Sequence, residues 1–153
     1  MQLRKSYKTT HVRKEYNWRM SRSLILKSIG VWVAFIPVAI INGIMRNSWY
    51  QQYTGELLAH QISTISASIL FILLAYIVLK NEIPQRKNKQ LILIGIGWTT
   101  LTVLFEFGFG HYLIGHSWDI LLADYNIFKG RIWSLFLLAC LFTPILIKQV
   151  KPR

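Results

Sequence analysis

The stretch LLAHQISTISASILFILLAYIVLK, residues 57–80, changes character halfway along. Its first half carries His60, Gln61, Ser63, Thr64, Ser66 and Ser68, whereas the run from Ile69 to Leu79 is almost wholly apolar. A hydrocarbon layer about 30 Å thick is crossed by roughly 20 apolar residues in a helix. This stretch therefore reads as a transmembrane helix with one polar half. Three more stretches, 24–45, 91–113 and 130–147, have similar length and composition. In a chain of 153 residues that is 53% hydrophobic, four spans leave only short connections and a basic tail, 1–23. The expected fold is an all-α, integral membrane four-helix bundle forming one membrane domain over 1–153. A short interfacial helix is expected between spans three and four.

Charge sets the expected orientation. Fifteen of the eighteen Lys and Arg residues fall on one side of the four spans, and four of the six acids and three of the four histidines fall on the other. Basic residues beside spans stay in the cytoplasm, which places both termini and the turn around Pro84 inside. The net charge of +12 is then explained by this bias and by contact with anionic lipid heads, and nucleic acid is not an expected partner. The tail does not read as a cleavable signal peptide, because the apolar stretch after it is too long and no small-x-small site closes it. The single cysteine, Cys140, reads as a packing residue.

The outer side gathers the polar groups. Antiparallel spans two and three bring Glu56, His60 and Gln61 to the level of Glu106, His111 and His116. Asn42 and Arg46, at i and i+4, share a face at the end of span one. Asp124 and Arg131, two turns apart, can brace the start of span four. Glu106 lies inside span three, where an acid is costly and faces protein or water; it is expected either to pair with Arg46 or Arg131 or to remain protonated. Pro37 is expected to kink span one, and Lys27 to reach back to water along its stem. In the third connection, Ser117 is placed to cap a short helix with Asp119 in its first turn. Trp118, Leu121, Leu122 and Tyr125 recur at helical spacing, so a half-buried helix over 117–129 is expected at the membrane surface.

No motif names a reaction. His60, His111 and His116 are the only basis for a metal or haem site, and HExxH, HxxxH and CxxC patterns are absent, so no cofactor is expected. No nucleophile elbow surrounds Ser63, Ser66 or Ser117. Gly108-Phe109-Gly110 lacks the strand–turn–helix setting of a phosphate loop.

Four segments carry a resemblance: AHQIST at 59–64, FEFGFGH at 105–111, LLADYN at 121–126 and GRIW at 130–133. They look like segments of uncharacterised small bacterial multi-pass membrane proteins, and the likeness spans most of residues 40–135. It implies a bacterial inner-membrane setting and lends no activity or catalytic residue.

The functional expectation follows by elimination. It is a membrane protein that binds a small ligand, ion or lipid head group in the outer polar layer of Asn42, Arg46, Glu56, His60, Gln61, Glu106, His111, Asp124 and Arg131. Membrane lipids are the implied partners, and the glycine and Ser/Thr faces offer surfaces for a homo-oligomer or other membrane subunits. One alternative is a small enzyme acting on a lipid or quinone-like substrate, with Glu106 or His60 as acid or base. Another is a proton-coupled transporter or channel subunit, disfavoured because the inner halves of the spans are nearly devoid of polar lining.

Overall fold

The computed structural model describes residues 20–150; the basic tail 1–19 lies outside the described residues. Helix α1 spans Arg22–Met45, continues through a π-turn at Arg46–Tyr50, and passes into a short α2, Gln51–Thr54. Helix α3 follows at Glu56–Leu79, then α4 at Asn88–Gly108 with a π-turn at Phe109–Leu113. The short α5, Trp118–Ala123, and a 3₁₀ turn at Ile127–Lys129 lead into α6, Trp133–Val150. Four helical stretches are long and apolar enough to cross a membrane: Arg22–Thr54, Glu56–Leu79, Asn88–Leu113 and Trp133–Val150. No strand occurs among the described residues.

Several local expectations are corrected. Residues 46–54, part of the connection 46–56 expected between the first two spans, are helical, because nothing breaks the chain before Gly55, whose φ of 80° only glycine adopts readily. The last span begins at Trp133 rather than 130 and runs through Pro144 to Val150, since Gly130 is left-handed and closes the preceding turn. The surface helix is shorter than 117–129, and Ser117 sits at its N-cap without a side-chain capping bond. Lys27 does not end in water alone; its Nζ lies 2.8 Å from Glu82 Oε1.

The helices pack in the order α1, α3, α6, α4, with only sparse contact between the two outermost, α1 and α4. The tightest seam joins α4 and α6, where a Cβ on Gly95 would overlap the carbonyl of Leu141. Below mid-height, α1 and α4 are joined by long side chains rather than by close backbones. Trp98 Nε1 donates to Ser28 O at 2.8 Å, and Trp32 Nε1 donates to Thr102 Oγ1 at 3.1 Å. Edge-to-face contacts of Phe35 on Phe71 and of Phe71 on Trp98, each with ring centroids 5.1 Å apart, fill the core. Exposure is the reverse of a water-soluble bundle. Ile29, Val33, Ile40, Leu73, Ile77, Leu93 and Leu104 face outward, while Ser28, His60, Ser63, Thr64, Gln90 and Thr143 are buried.

The end bearing the α3–α4 turn is tied by charge. Glu82 accepts from Ser23 Oγ and Lys27 Nζ on α1 and from Arg86 Nη2, which also reaches Ser21 Oγ. Lys148 Nζ on α6 donates to Arg86 O and Asn88 Oδ1, both at 2.8 Å. The Lys27 hydrogen bond, with Arg86 adding, holds the Glu82 carboxyl below the usual glutamate range.

Two predictions follow from this packing. Gly95→Leu should lower the thermal midpoint in detergent by the equivalent of about 1–3 kcal/mol, the usual cost of overpacking; an unchanged midpoint would contradict the α4–α6 seam. Glu82→Gln should lower the midpoint at neutral pH. Because the native carboxyl titrates below its unfolded value, its stabilisation is present above the ordinary glutamate range and lost as pH falls through the native one. The gap between variant and wild type should therefore close on acidification, read by thermal melts from pH 7 to pH 3.

Candidate functional site

Opposite the Glu82 end, α1 and α4 separate above the Trp32–Thr102 hydrogen bond, and a cavity of about 280 Å³ lies between them. Its walls include Phe35, Ala39 and Gly43 from α1, Phe105 and Glu106 from α4, and Trp133 and Phe136 from α6. A second, more polar cavity of about 300 Å³ adjoins it, lined by Gln51, Glu56, Ala123 and Arg131 among others. Arg46, His60, His116 and Asp124 line both. The result is an aromatic chamber beneath a charged vestibule, with these four side chains at the junction.

Both π-turns stand at this end. The Gln51 N–H bonds Arg46 O, and the Ile114 N–H bonds Phe109 O at 3.1 Å, each spanning five residues. A π-turn inserts one extra residue and re-aims the side chains that follow, and such turns recur at functional sites. Here they bracket the cavity through Arg46 on one helix and Phe109 and Gly110 on the other. The roof docks on the second turn: Leu121 packs against Gly110, where a Cβ would come within 2.8 Å of Leu121 Cδ2. Trp118 and Tyr125 stack on Phe107 with ring centroids 6.0 and 5.8 Å apart. Of the expected apolar face, Leu121 is buried, whereas Trp118 and Leu122 are largely exposed.

Glu106 is not paired as expected. Neither Arg46 nor Arg131 forms an ion pair with it; its Oε2 accepts from Tyr125 Oη at 2.5 Å and from Trp133 Nε1 at 2.6 Å. Arg131 is taken by two acids nearer the surface, with Nη2 on Glu56 and Nη1 at 3.2 Å from Asp124 Oδ1. The Arg46 Nε turns to its neighbour, Asn47 Oδ1, at 2.9 Å. Burial pushes the Tyr125 phenol above its ordinary range and the bond to Glu106 adds in the same direction, so the phenol remains a donor.

The remaining residues of the expected layer divide by role. Asn42 lines the chamber, but its amide is committed to α3: Nδ2 donates to Ser63 O and Oγ at 2.8 and 3.0 Å, and Oδ1 accepts from Ser66. Gln61 Nε2 donates to Gly130 O at 2.9 Å and ties α3 to the start of the last span. His111 stacks on Trp118 at 4.0 Å between centroids, and its Nδ1 meets His116 O at 2.8 Å, which braces the roof outside the cavity. His60 is 3% exposed; its Nδ1 lies 3.8 Å from Asp124 Oδ1, and its buried Nε2 has no hydrogen-bond partner among the described residues. His60, His111 and His116 do not converge, and no group of three or more His, Cys, Asp or Glu positioned for a metal ion occurs among the described residues.

Tyr125 and Trp133, as donors to Glu106, are the residues that sequence reasoning missed. An acid within a span, lacking a cation at helical spacing, calls for neutral donors, and Tyr and Trp are the large apolar residues with a polar tip. No family model, no curated protein and no solved structure matches this chain.

A double-mutant cycle checks the Glu106 assignment. Glu106→Gln and Tyr125→Phe should be non-additive in stability by about 1 kcal/mol or more, as for contacting polar partners. Glu106→Gln and Arg46→Gln should add independently; the opposite pattern would restore the ion pair.

Proposed function

We propose that this is a multi-pass membrane protein that holds an amphipathic small molecule, its apolar part in the aromatic chamber and its polar group in the vestibule. The observation that carries this reading is the continuity of two cavities of opposite character through Arg46, His60, His116 and Asp124. Ligand sites are typically concave and mostly apolar, with a few convergent polar groups. An outward surface rich in Ile, Leu and Val needs hydrocarbon around it, because a soluble monomer rarely exposes such area. The charge bias supports an orientation with Glu82 toward the cytoplasm and the roof outside. The resemblance noted above adds a bacterial inner membrane as the setting.

Lipid-side access follows from the packing order. The chamber lies between α1 and α4, which scarcely touch, so a molecule dissolved in the bilayer reaches it without crossing the roof. Transport is the weaker reading. Below Trp32 and Thr102 the core among the described residues is chiefly Val31, Phe71, Ala75, Leu79, Ile94 and Trp98, and the Ser28 and Thr143 hydroxyls buried in that half are turned to their own helix backbones. An enzyme acting on the same bound molecule is the second reading, favoured by Glu106 and His60 lining one chamber.

The test fills the chamber. Ala39→Phe should empty the purified protein of co-purifying amphiphile, read by native mass spectrometry, while the thermal midpoint holds or rises because the added ring occupies vacant space rather than a packed core. Equal ligand occupancy in the variant and the wild type would overturn the reading.

A further inference from the structure

The vestibule's charges are unequally used. Among its described lining residues, Arg131 is neutralised by Glu56 and Asp124. Among the described residues Arg46 has no carboxylate within ion-pair distance, and the only hydrogen bond of its side chain is from Nε to Asn47 Oδ1. Its terminal guanidinium nitrogens therefore remain available at the junction of vestibule and chamber, in a geometry suited to bidentate contact with an oxyanion.

His60 adds a complementary demand. In the neutral ring, the Asp124 carboxylate 3.8 Å from Nδ1 favours the proton on that nitrogen, which leaves Nε2 as an acceptor. That acceptor is buried without a donor among the described residues, although buried polar atoms are nearly always paired. Thr64 on the next turn does not help, because its hydroxyl donates to the His60 carbonyl. The vacancy calls for a donor from outside the chain, at a residue that lines both compartments.

We propose that the vestibule recognises a headgroup joining an oxyanion to a hydroxyl, as a phosphoglycerol does. Arg46 holds the oxyanion, and His60 Nε2 accepts from the hydroxyl. This deepens the amphiphile reading and rests on it, since the tail of such a lipid would occupy the chamber. A phosphocholine satisfies Arg46 but offers His60 no donor. A simple phosphate ester without a hydroxyl does the same, and a neutral diacylglycerol offers a hydroxyl but no anion.

The test uses short-chain lipids added to delipidated, detergent-solubilised protein, with affinity read by tryptophan fluorescence or native mass spectrometry. Dioctanoyl phosphatidylglycerol should bind roughly tenfold or more tightly than dioctanoyl phosphatidylcholine or phosphatidylmethanol, as expected when a charge-assisted or otherwise orphaned contact is gained. Arg46→Gln should erase the advantage over diacylglycerol, and His60→Phe should erase the advantage over phosphatidylmethanol. Should His60→Phe fail to fold, the comparison of phosphatidylglycerol with phosphatidylmethanol on the wild-type protein decides the same point. Equal affinity for all these lipids would overturn the headgroup assignment while leaving the amphiphile reading intact. Failure of every lipid, dioctanoylglycerol included, would overturn the amphiphile reading itself. Glycerol 3-phosphate binding as tightly as phosphatidylglycerol would support the oxyanion-and-hydroxyl site and assign its occupant to a free solute.

Discussion

A polar atom enclosed by apolar side chains finds its partner within the protein or goes without, and this constraint organises the whole molecule. Hydrocarbon supplies no hydrogen bonds, and several of the polar groups enclosed here tie two helices together. Trp98 binds α4 to α1 through the Ser28 carbonyl, Asn42 binds α1 to α3, and Gln61 binds α3 to the start of α6. Glu106 gathers the roof and the last span through Tyr125 and Trp133. In lipid, such links would do what apolar burial does for a soluble bundle, since helices there gain little by hiding Leu or Ile.

The same constraint makes the exceptions informative. Among the described residues, the Tyr50 hydroxyl and the Nε2 of His60 are the side-chain polar atoms enclosed without a partner, and of these His60 stands with the unpaired tips of Arg46 where two cavities meet. The two π-turns converge at that level from helices remote in sequence. A protein concerned only with stability gains nothing by interrupting two of its longest helices at the same height and leaving a void between them.

How much of this was legible in the sequence depends on distance along the chain. The four apolar runs announce themselves because a span is a local property of some twenty residues, and the sorting of acids and histidines to one side is equally plain. Asp124 and Arg131, seven apart, were foreseen as partners and lie 3.2 Å from each other. Glu106 was recognised as needing a partner, but the choice between an arginine and a pair of neutral donors turns on which groups reach it in three dimensions. Glu56, 75 residues from Arg131, takes up that arginine, and nothing in the spacing announces it. The π-turns were invisible because their sequences, RNSWY and FGHYL, hold no proline and read like the helices around them; the extra residue is imposed by packing. The aromatic chamber was hidden for a similar reason, since Phe35, Phe105 and Phe136 in apolar runs look the same whether they face lipid, core or a vacancy.

The open order α1, α3, α6, α4 has a further consequence for selectivity. The vestibule side chains Glu56 and His60 belong to α3 and Arg131 stands at the threshold of α6, two elements pinned together by the Gln61–Gly130 hydrogen bond. Two of the chamber's walls, by contrast, are the terminal members of the series, held across their gap chiefly by tryptophan side chains. A rim so pinned, beside flanks so joined, would hold the surface group of a molecule bound as proposed more closely than its remainder. The cavity would be fastidious about what a molecule presents at the surface and tolerant of how long or branched the remainder is.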